Sequence, residues 1–290
     1  MQLTGIVTTR LLATARPQYW VTGWSFKKTY QLSQMSTQGR DPWVQNLIKR
    51  LHPLGSGPLC DADKGRRLVA TTSNDPNVRA YAGLSLMCPN IMRLRSPPEH
   101  HNTKRMKMIG VVRTLQLSRP NDFLAVMHAL TEIQSGDVLV VNTCGSSRAV
   151  AGGLFTTEAA RRGCRGLVVD GPIRDVHDLA CPTYSTLVSP YAGMIQHPGD
   201  GTDFMPIVCC GVAVNPGDII FGDIDGVIVG SAESFYACIN EAESIVSMEQ
   251  RLIRGMSMGV SLHEMTNFDE HIQKRREGKE STLTFKDLNY

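Results

Sequence analysis

The sequence predicts an α/β fold, and its 290 residues suffice for one large domain or two small ones. Three observations point to the fold. The run at 138–141 is continuously apolar, as strands buried on both faces are, and 166–170 reads as a second buried strand that ends in Asp170. Segments with helical spacing lie before and between them. The C-terminal third adds short strand-like runs separated by Gly- and Asp-rich turns and then a long helical pattern.

In chain order, 43–51 reads as a short amphipathic helix, and Pro53, Gly55, Gly57 and Pro58 mark a loop after it. Residues 59–70 fit no single period. The stretch 90–101 is polar and Pro-rich and reads as a loop. Lys104, Arg105 and Lys107 read as a solvated basic face. A strand is expected over 108–117. A turn at 118–122 starts a helix whose apolar positions are Phe123, Leu124, Met127 and Leu130, and Ser135-Gly136 stops it. The strand 138–141 follows, then a small-residue turn at 143–147. A helix opening at Gly152 ends at Gly163, and the strand from 166 runs into Arg174 and Asp175. Residues 176–179 begin a helical turn, 183–189 a strand, and 190–206 a long loop. Strands are expected at 207–214, 219–221 and 227–229. Residues 231–254 form a helix that turns Phe235, Cys238, Ile239, Ala242, Ile245, Val246 and Leu252 inward, and the same helix carries Glu249.

Three regions follow: an extension over 1–40, the domain over 41–265, and a charged, fraying tail over 266–290. The first 40 residues hold no Asp or Glu but carry Arg10, Arg16, Lys27, Lys28 and Arg40 among many Ser and Thr. That is the composition of an organelle transit peptide, which predicts a mitochondrial destination. The alternative is a disordered extension, or an upstream start with Met35 as the true beginning, on a cytoplasmic protein.

Composition excludes some partners. With 42% apolar and 20% charged residues the chain can fill a core. A net charge of +3 gives no electrostatic footprint for nucleic acid, and no apolar run is long enough to span a membrane. The eight cysteines form no Cys-x-x-Cys pair and show no zinc-ligand spacing, so free thiols in a reducing compartment are expected. Cys209 and Cys210 fall on an expected strand, where neighbours point to opposite faces and cannot share a site. Cys144 as a nucleophile would need a base that the sequence does not place. Asp223, Asp225 and Gly226 lack the later ligands of a calcium loop and read as a β-turn. Asn142 reads as a turn cap.

The chemistry concentrates in 152–175, GGLFTTEAARRGCRGLVVDGPIRD. A helix start presents unpaired backbone N–H groups and the positive end of a dipole, and glycines there let an anion approach the backbone. Arg174 offers a guanidinium fork for a carboxylate, and Asp175 a hard oxygen for a divalent cation. The combination suits a small carboxylate bound together with a metal. A plain helix–strand unit with a surface Arg–Asp pair is the other reading.

That stretch, with GDVLVV at 136–141 and NPGDIIFGDIDGVIV at 215–229, resembles the regulator-of-ribonuclease-activity-A-like (RraA-like) family. The similarity is to the branch containing 4-hydroxy-4-methyl-2-oxoglutarate aldolases, which also decarboxylate oxaloacetate. It implies a swivelling α/β/β sandwich, assembled as homotrimers or homohexamers with sites between subunits. It also implies a 2-oxo acid substrate and a Mg²⁺ or Mn²⁺ cofactor. Carried over by position, Arg174 would bind the substrate carboxylate and stabilise an enolate, and Asp175 would ligate the metal. The backbone at Gly152, Gly153, Leu154 and Phe155 would cradle the carboxylate. Glu249 of a neighbouring subunit would complete the metal's outer shell. The pattern departs at one place. The aldolases carry an acidic residue 21 positions before the Arg, which falls here on Gly153. That bears on aldol cleavage more than on metal or oxo-acid binding. His177 could move protons. The resemblance also admits a non-catalytic regulator acting by protein–protein binding.

Overall fold

A computed structural model describes residues 41–76, 81–87, 91–94, 107–193, 202–203 and 205–286. The transit-peptide reading of 1–40, Lys104 and Arg105 of the basic run and most of the Pro-rich stretch at 90–101 lie outside these residues. Lys107 is described and is not a free solvated charge, because its ammonium donates to the His52 and Leu54 carbonyls at the end of the first helix.

Helix α1 (Pro42–Leu51) begins at Asp41, whose carboxylate accepts a hydrogen bond from the Trp43 amide at 2.9 Å. Helix α2 (Ser56–Thr72) covers the stretch that fits no period, despite Gly57, Pro58 and Gly65. Two interactions explain it. Leu59 and Ala62 are buried in the cluster formed with α1 and the later helix. The helix start is capped from far along the chain: Asp223 accepts from the Ser56 amide at 2.8 Å and the Ser56 hydroxyl at 2.7 Å. The 223–226 connection between Gly222 and Val227 is a short chain reversal and also a remote helix cap. Asp223→Ala should lower unfolding stability by about 2 kcal/mol, because it strands the buried Ser56 donors. Chemical denaturation measures this.

The strands are β1 (Ser85–Leu86), β2 (Met92–Leu94), β3 (Met108–Gln116), β4 (Asp137–Asn142), β5 (Gly166–Ile173), β6 (Thr183–Val188), β7 (Thr202–Asp203), β8 (Ile207–Cys209), β9 (Val212–Val214), β10 (Ile219–Gly222) and β11 (Val227–Gly230). Among the described residues the main sheet runs β1-β11-β10-β3-β4-β5-β6-β2, with β7 on β3. Its centre, β3 to β6, is parallel, and the flanking pairs are antiparallel. Helices α3 (Leu124–Glu132) and α4 (Gly153–Arg161) make the parallel crossovers. A 3-10 turn spans Val176–Asp178, and α5 (Ala232–Ser257) returns across the sheet.

Side chains alternate across β3 and so sort the layers. Ile109, Val111 and Leu115 face the helices, whereas Met108 and Val112 face the β8–β9 hairpin. The result is helices, main sheet and hairpin: an α/β/β sandwich. The helix-facing core has two clusters. Leu115, Leu139, Val141, Leu167 and Val169 pack with α3 and α4, while Ile109, Ile219, Phe221 and Ile228 pack with α1, α2 and α5. On β3, Arg113 lies between them and pairs with the buried Asp137 at 3.1 Å.

Several expectations are corrected. Residues 207–214 are a hairpin, because Cys210 and Gly211 both take positive φ (50° and 77°), as a two-residue turn between twisted strands requires. That turn breaks the alternation, so the Cys209 and Cys210 sulfurs lie 3.9 Å apart on one side. Met127 is exposed; Ala125, Val126, Ala129 and Leu130 form the inner face of α3. Residues 92–94 are a strand. The segment expected to fray forms α6 (Phe268–Arg276), and the chain after it returns to pair Thr266 with Phe285.

Candidate active site at the ends of the parallel strands

In a parallel sheet the C-terminal strand ends leave a crevice where loops diverge. Here the loops after β3, β4, β5 and β6 converge there. The β4–α4 loop is tied to its neighbours by backbone hydrogen bonds: Val150 N–H to Pro172 O at 3.1 Å, Ala149 N–H to Tyr191 O at 2.8 Å and Arg174 N–H to Ala151 O at 3.1 Å. Asn121, in the left-handed region at φ 68°, accepts from the Ser147 and Arg148 amides at 3.0 and 2.9 Å. By sequence Asn121 is only part of the 118–122 turn. An Asn after Pro, free to adopt positive φ, was the available signal.

Strand β5 delivers the charged pair. Its register slips by one residue between Val169 and Pro172, and Gly171 stands at φ 151°. A Cβ there would lie 2.1 Å from Thr143 Oγ1, so only glycine fits. Beyond the bulge Asp175 takes a left-handed conformation (φ 54°, ψ 45°) that Asp tolerates better than most residues. Arg174 Nε sits 3.3 Å from Asp175 Oδ2, and both side chains are about two-fifths exposed, 42% and 39%.

Helix α4 begins directly against this pair. Gly152 is extended and gives no side-chain cap, so the first amides of α4, at Gly153, Leu154 and Phe155, have no intrahelical acceptor. A Cβ on Gly152 would lie 2.9 Å from Asp175 Oδ2 and 3.0 Å from Arg174 Cγ. The expected backbone cradle and the Arg–Asp pair are therefore adjacent. Leu154 contributes backbone only, since its side chain is 81% exposed; the Phe155 ring packs edge-on to Phe123 at 6.0 Å. A Cβ at position 153 would approach Asp178 Cβ to 3.1 Å and Asp175 Cβ to 3.5 Å. A longer side chain there would border the same space.

Asp175 suits Mg²⁺ or Mn²⁺. It is a partly solvated carboxylate beside unpartnered amides, and one hard oxygen plus several waters is the usual shell of such ions. Glu249 is exposed on α5, which packs on α2 and α1, so the fold does not bring it to Arg174 and Asp175 within one chain. His177 is exposed on the 3-10 turn. Asn142 caps its own turn by accepting from the Cys144 amide at 2.8 Å. Burial pushes the Cys60, Cys164 and Cys238 thiols up, and Cys181 up to about 12, which leaves them un-ionised and unreactive near neutrality. A polar groove of about 400 Å³ along the outer side of α5 contains none of the site residues. Among the described residues no helix is long and apolar enough to cross a membrane.

A putative 4-hydroxy-4-methyl-2-oxoglutarate aldolase of Halalkalibacterium halodurans is 39% identical over 127 residues, 42% of this chain and 59% of that protein. An uncharacterized protein of Methanocaldococcus jannaschii is 36% identical over 124 residues, with the same coverage. The chain thus spans about three-fifths of the length of these curated relatives. A putative aldolase of the same name from Burkholderia mallei is 34% identical over 174 residues, 59% of this chain and 92% of that protein. Among solved structures, an unusual Streptomyces coelicolor member of the RNase ES inhibitor RraA family aligns with TM-score 0.53 and 25% identity, covering 71% of this chain and 95% of that one. An uncharacterized Pseudomonas syringae protein aligns with TM-score 0.56 and 21% identity over 76% and 96%, a likeness of fold. The family model described as RraA-like, Aldolase/RraA, matches residues 59–229, and the chain belongs to that family.

Proposed function

We propose that the protein is a divalent-metal-dependent carbon–carbon lyase. It would cleave or decarboxylate a 4-carboxy-2-oxo acid, 4-hydroxy-4-methyl-2-oxoglutarate or oxaloacetate, to pyruvate. The observation that carries the reading is the Arg174–Asp175 pair set against the uncapped start of α4, with no Cβ at Gly152 to separate them.

The substrate's 1-carboxylate would lie over the amides of Gly153, Leu154 and Phe155, within reach of the Arg174 guanidinium. Breaking the C3–C4 bond leaves its electron pair on C3, delocalised onto the 2-oxo oxygen as the enolate of pyruvate. Arg174 would stabilise that charge as it grows, and a preorganised cation acts most strongly where charge develops. A Mg²⁺ or Mn²⁺ ion held by Asp175 would supply Lewis acidity toward the 2-oxo oxygen. For oxaloacetate the departing group is CO₂ and no base is needed to start. Aldol cleavage must also remove the 4-hydroxyl proton, and Gly153 offers no carboxylate for that. Decarboxylation is therefore the activity least dependent on the missing acid. Glu249 fits the role of an outer-shell group donated by a neighbouring subunit in a homotrimer or homohexamer. The exposed Leu154, Leu187, Val188 and Tyr191 supply apolar surface for such an assembly.

Pyruvate release from both substrates should fall to the uncatalysed rate when the metal is chelated and return with Mg²⁺ or Mn²⁺. Release no faster than metal in buffer alone would end the proposal. A second reading, a non-catalytic regulator that binds a ribonuclease, draws on Gly153 and on the RraA-family neighbour. Capture of a ribonuclease at physiological salt, with no lyase activity, would favour it.

A further inference from the structure

On the sheet face opposite α4, the β8–β9 hairpin brings two thiols and a carboxylate together. The ligand atoms of Asp170, Cys209 and Cys210 all lie within 4.8 Å of one another. The two sulfurs are 3.9 Å apart, close to the roughly 3.8 Å edge of a tetrahedron whose corners are thiolates about 2.3 Å from zinc. The positive φ of Cys210 creates this geometry by turning the second thiol back beside the first. The Cys210 amide donates to Asp170 Oδ2 at 2.8 Å, which fixes the carboxylate as an outer hydrogen bond fixes a ligand. Cys209 and Cys210 are 0% and 3% exposed, whereas Asp170 is only partly buried.

We propose that Cys209, Cys210 and Asp170 form a binding site for a thiophilic divalent cation of the zinc class. It is separate from the Asp175 site and selects its ion by softness: two sulfurs and one oxygen suit zinc, where magnesium prefers oxygen alone. Binding two thiols replaces two S–H protons by two metal–sulfur bonds and releases both protons to solvent, so affinity rises with pH. The bound ion ties the hairpin to β5, the strand that delivers Arg174 and Asp175.

The test uses the full chain, stripped by a chelator and titrated with Zn²⁺ against a chromophoric competitor. Co²⁺ then serves as a spectroscopic substitute. The expected result is one tight equivalent and a sulfur-to-cobalt charge-transfer band. Affinity should fall by about 100-fold or more in Cys209→Val and in Cys210→Ser. It should be unchanged in Cys144→Ser and in Asp175→Ala, a variant that separates this site from the proposed catalytic one. No tight equivalent, or one that survives both hairpin variants, overturns the proposal. So does one lost in Asp175→Ala. If a hairpin variant does not fold, alkylation of the wild-type chain with peptide mapping decides. Zn²⁺ must slow labelling of Cys209 and Cys210 but not of Cys144, and equal labelling with and without Zn²⁺ overturns the site.

Discussion

Asp175→Ala should lower metal-dependent pyruvate formation by about 10²- to 10³-fold, the usual cost of losing one preorganised charge-stabilising element. Asp175 is the hard-oxygen group set beside both Arg174 and the open amides of α4. Alanine also meets a backbone cost. At φ 54° a residue with a Cβ and no local polar group is disfavoured by about 1–2 kcal/mol. Asp175→Asn separates the two effects, because Asn tolerates the left-handed region and keeps the side-chain shape while losing the charge. The Asn variant should melt like the wild type and still lose activity. An Asn variant with wild-type rate and metal affinity would remove Asp175 from the chemistry.

Gly152→Ala should cost about 10²-fold in kcat/KM, the scale expected when a catalytic group is displaced by about an ångström. The reason is contact and not backbone strain, since Gly152 is extended at φ −177° and ψ −157°. The added carbon would meet Asp175 Oδ2 at 2.9 Å, Arg174 Cγ at 3.0 Å and the Arg174 carbonyl at 3.3 Å. The α4 start cannot retreat freely, because Arg174 N–H to Ala151 O and Val150 N–H to Pro172 O hold it to β5. The two charged side chains must move instead. Gly153→Ala is the comparison: its carbon meets the short 3-10 turn at 3.1 Å and should perturb the rate less. Wild-type kinetics for Gly152→Ala would show that the pair does not work in the arrangement seen here.

The candidate site was legible because its parts are contiguous. Gly152 through Asp175 form one helix–strand unit, so the spacing marks its two ends, and the hydrogen bonds from Val150 to Pro172 and from Arg174 to Ala151 set the α4 amides against Arg174 and Asp175. Long-range contacts were not legible. Helix α2 owes its start to Asp223, 167 residues away, and its inner face to α5, so Gly57 and Gly65 obscured it. The β8–β9 hairpin hid inside an apolar run whose one break was Gly211. The Gly171 bulge left no trace beyond the glycine itself. Glu249 was placed through the family resemblance, and a single chain sets it on the far group of helices.

The division of the helix-facing core into two clusters, with the Arg113–Asp137 ion pair between them, has a consequence for how this molecule fails. Packing is the main resistance to local opening, and two packed units sharing one sheet can open separately. Loosening α1, α2 and α5 should leave the amide protons of β4 and β5 slow to exchange with deuterium. The half that carries Arg174 and Asp175 would then keep its strand order while the other group of helices loosens, exposing the apolar side chains of α1, α2 and α5.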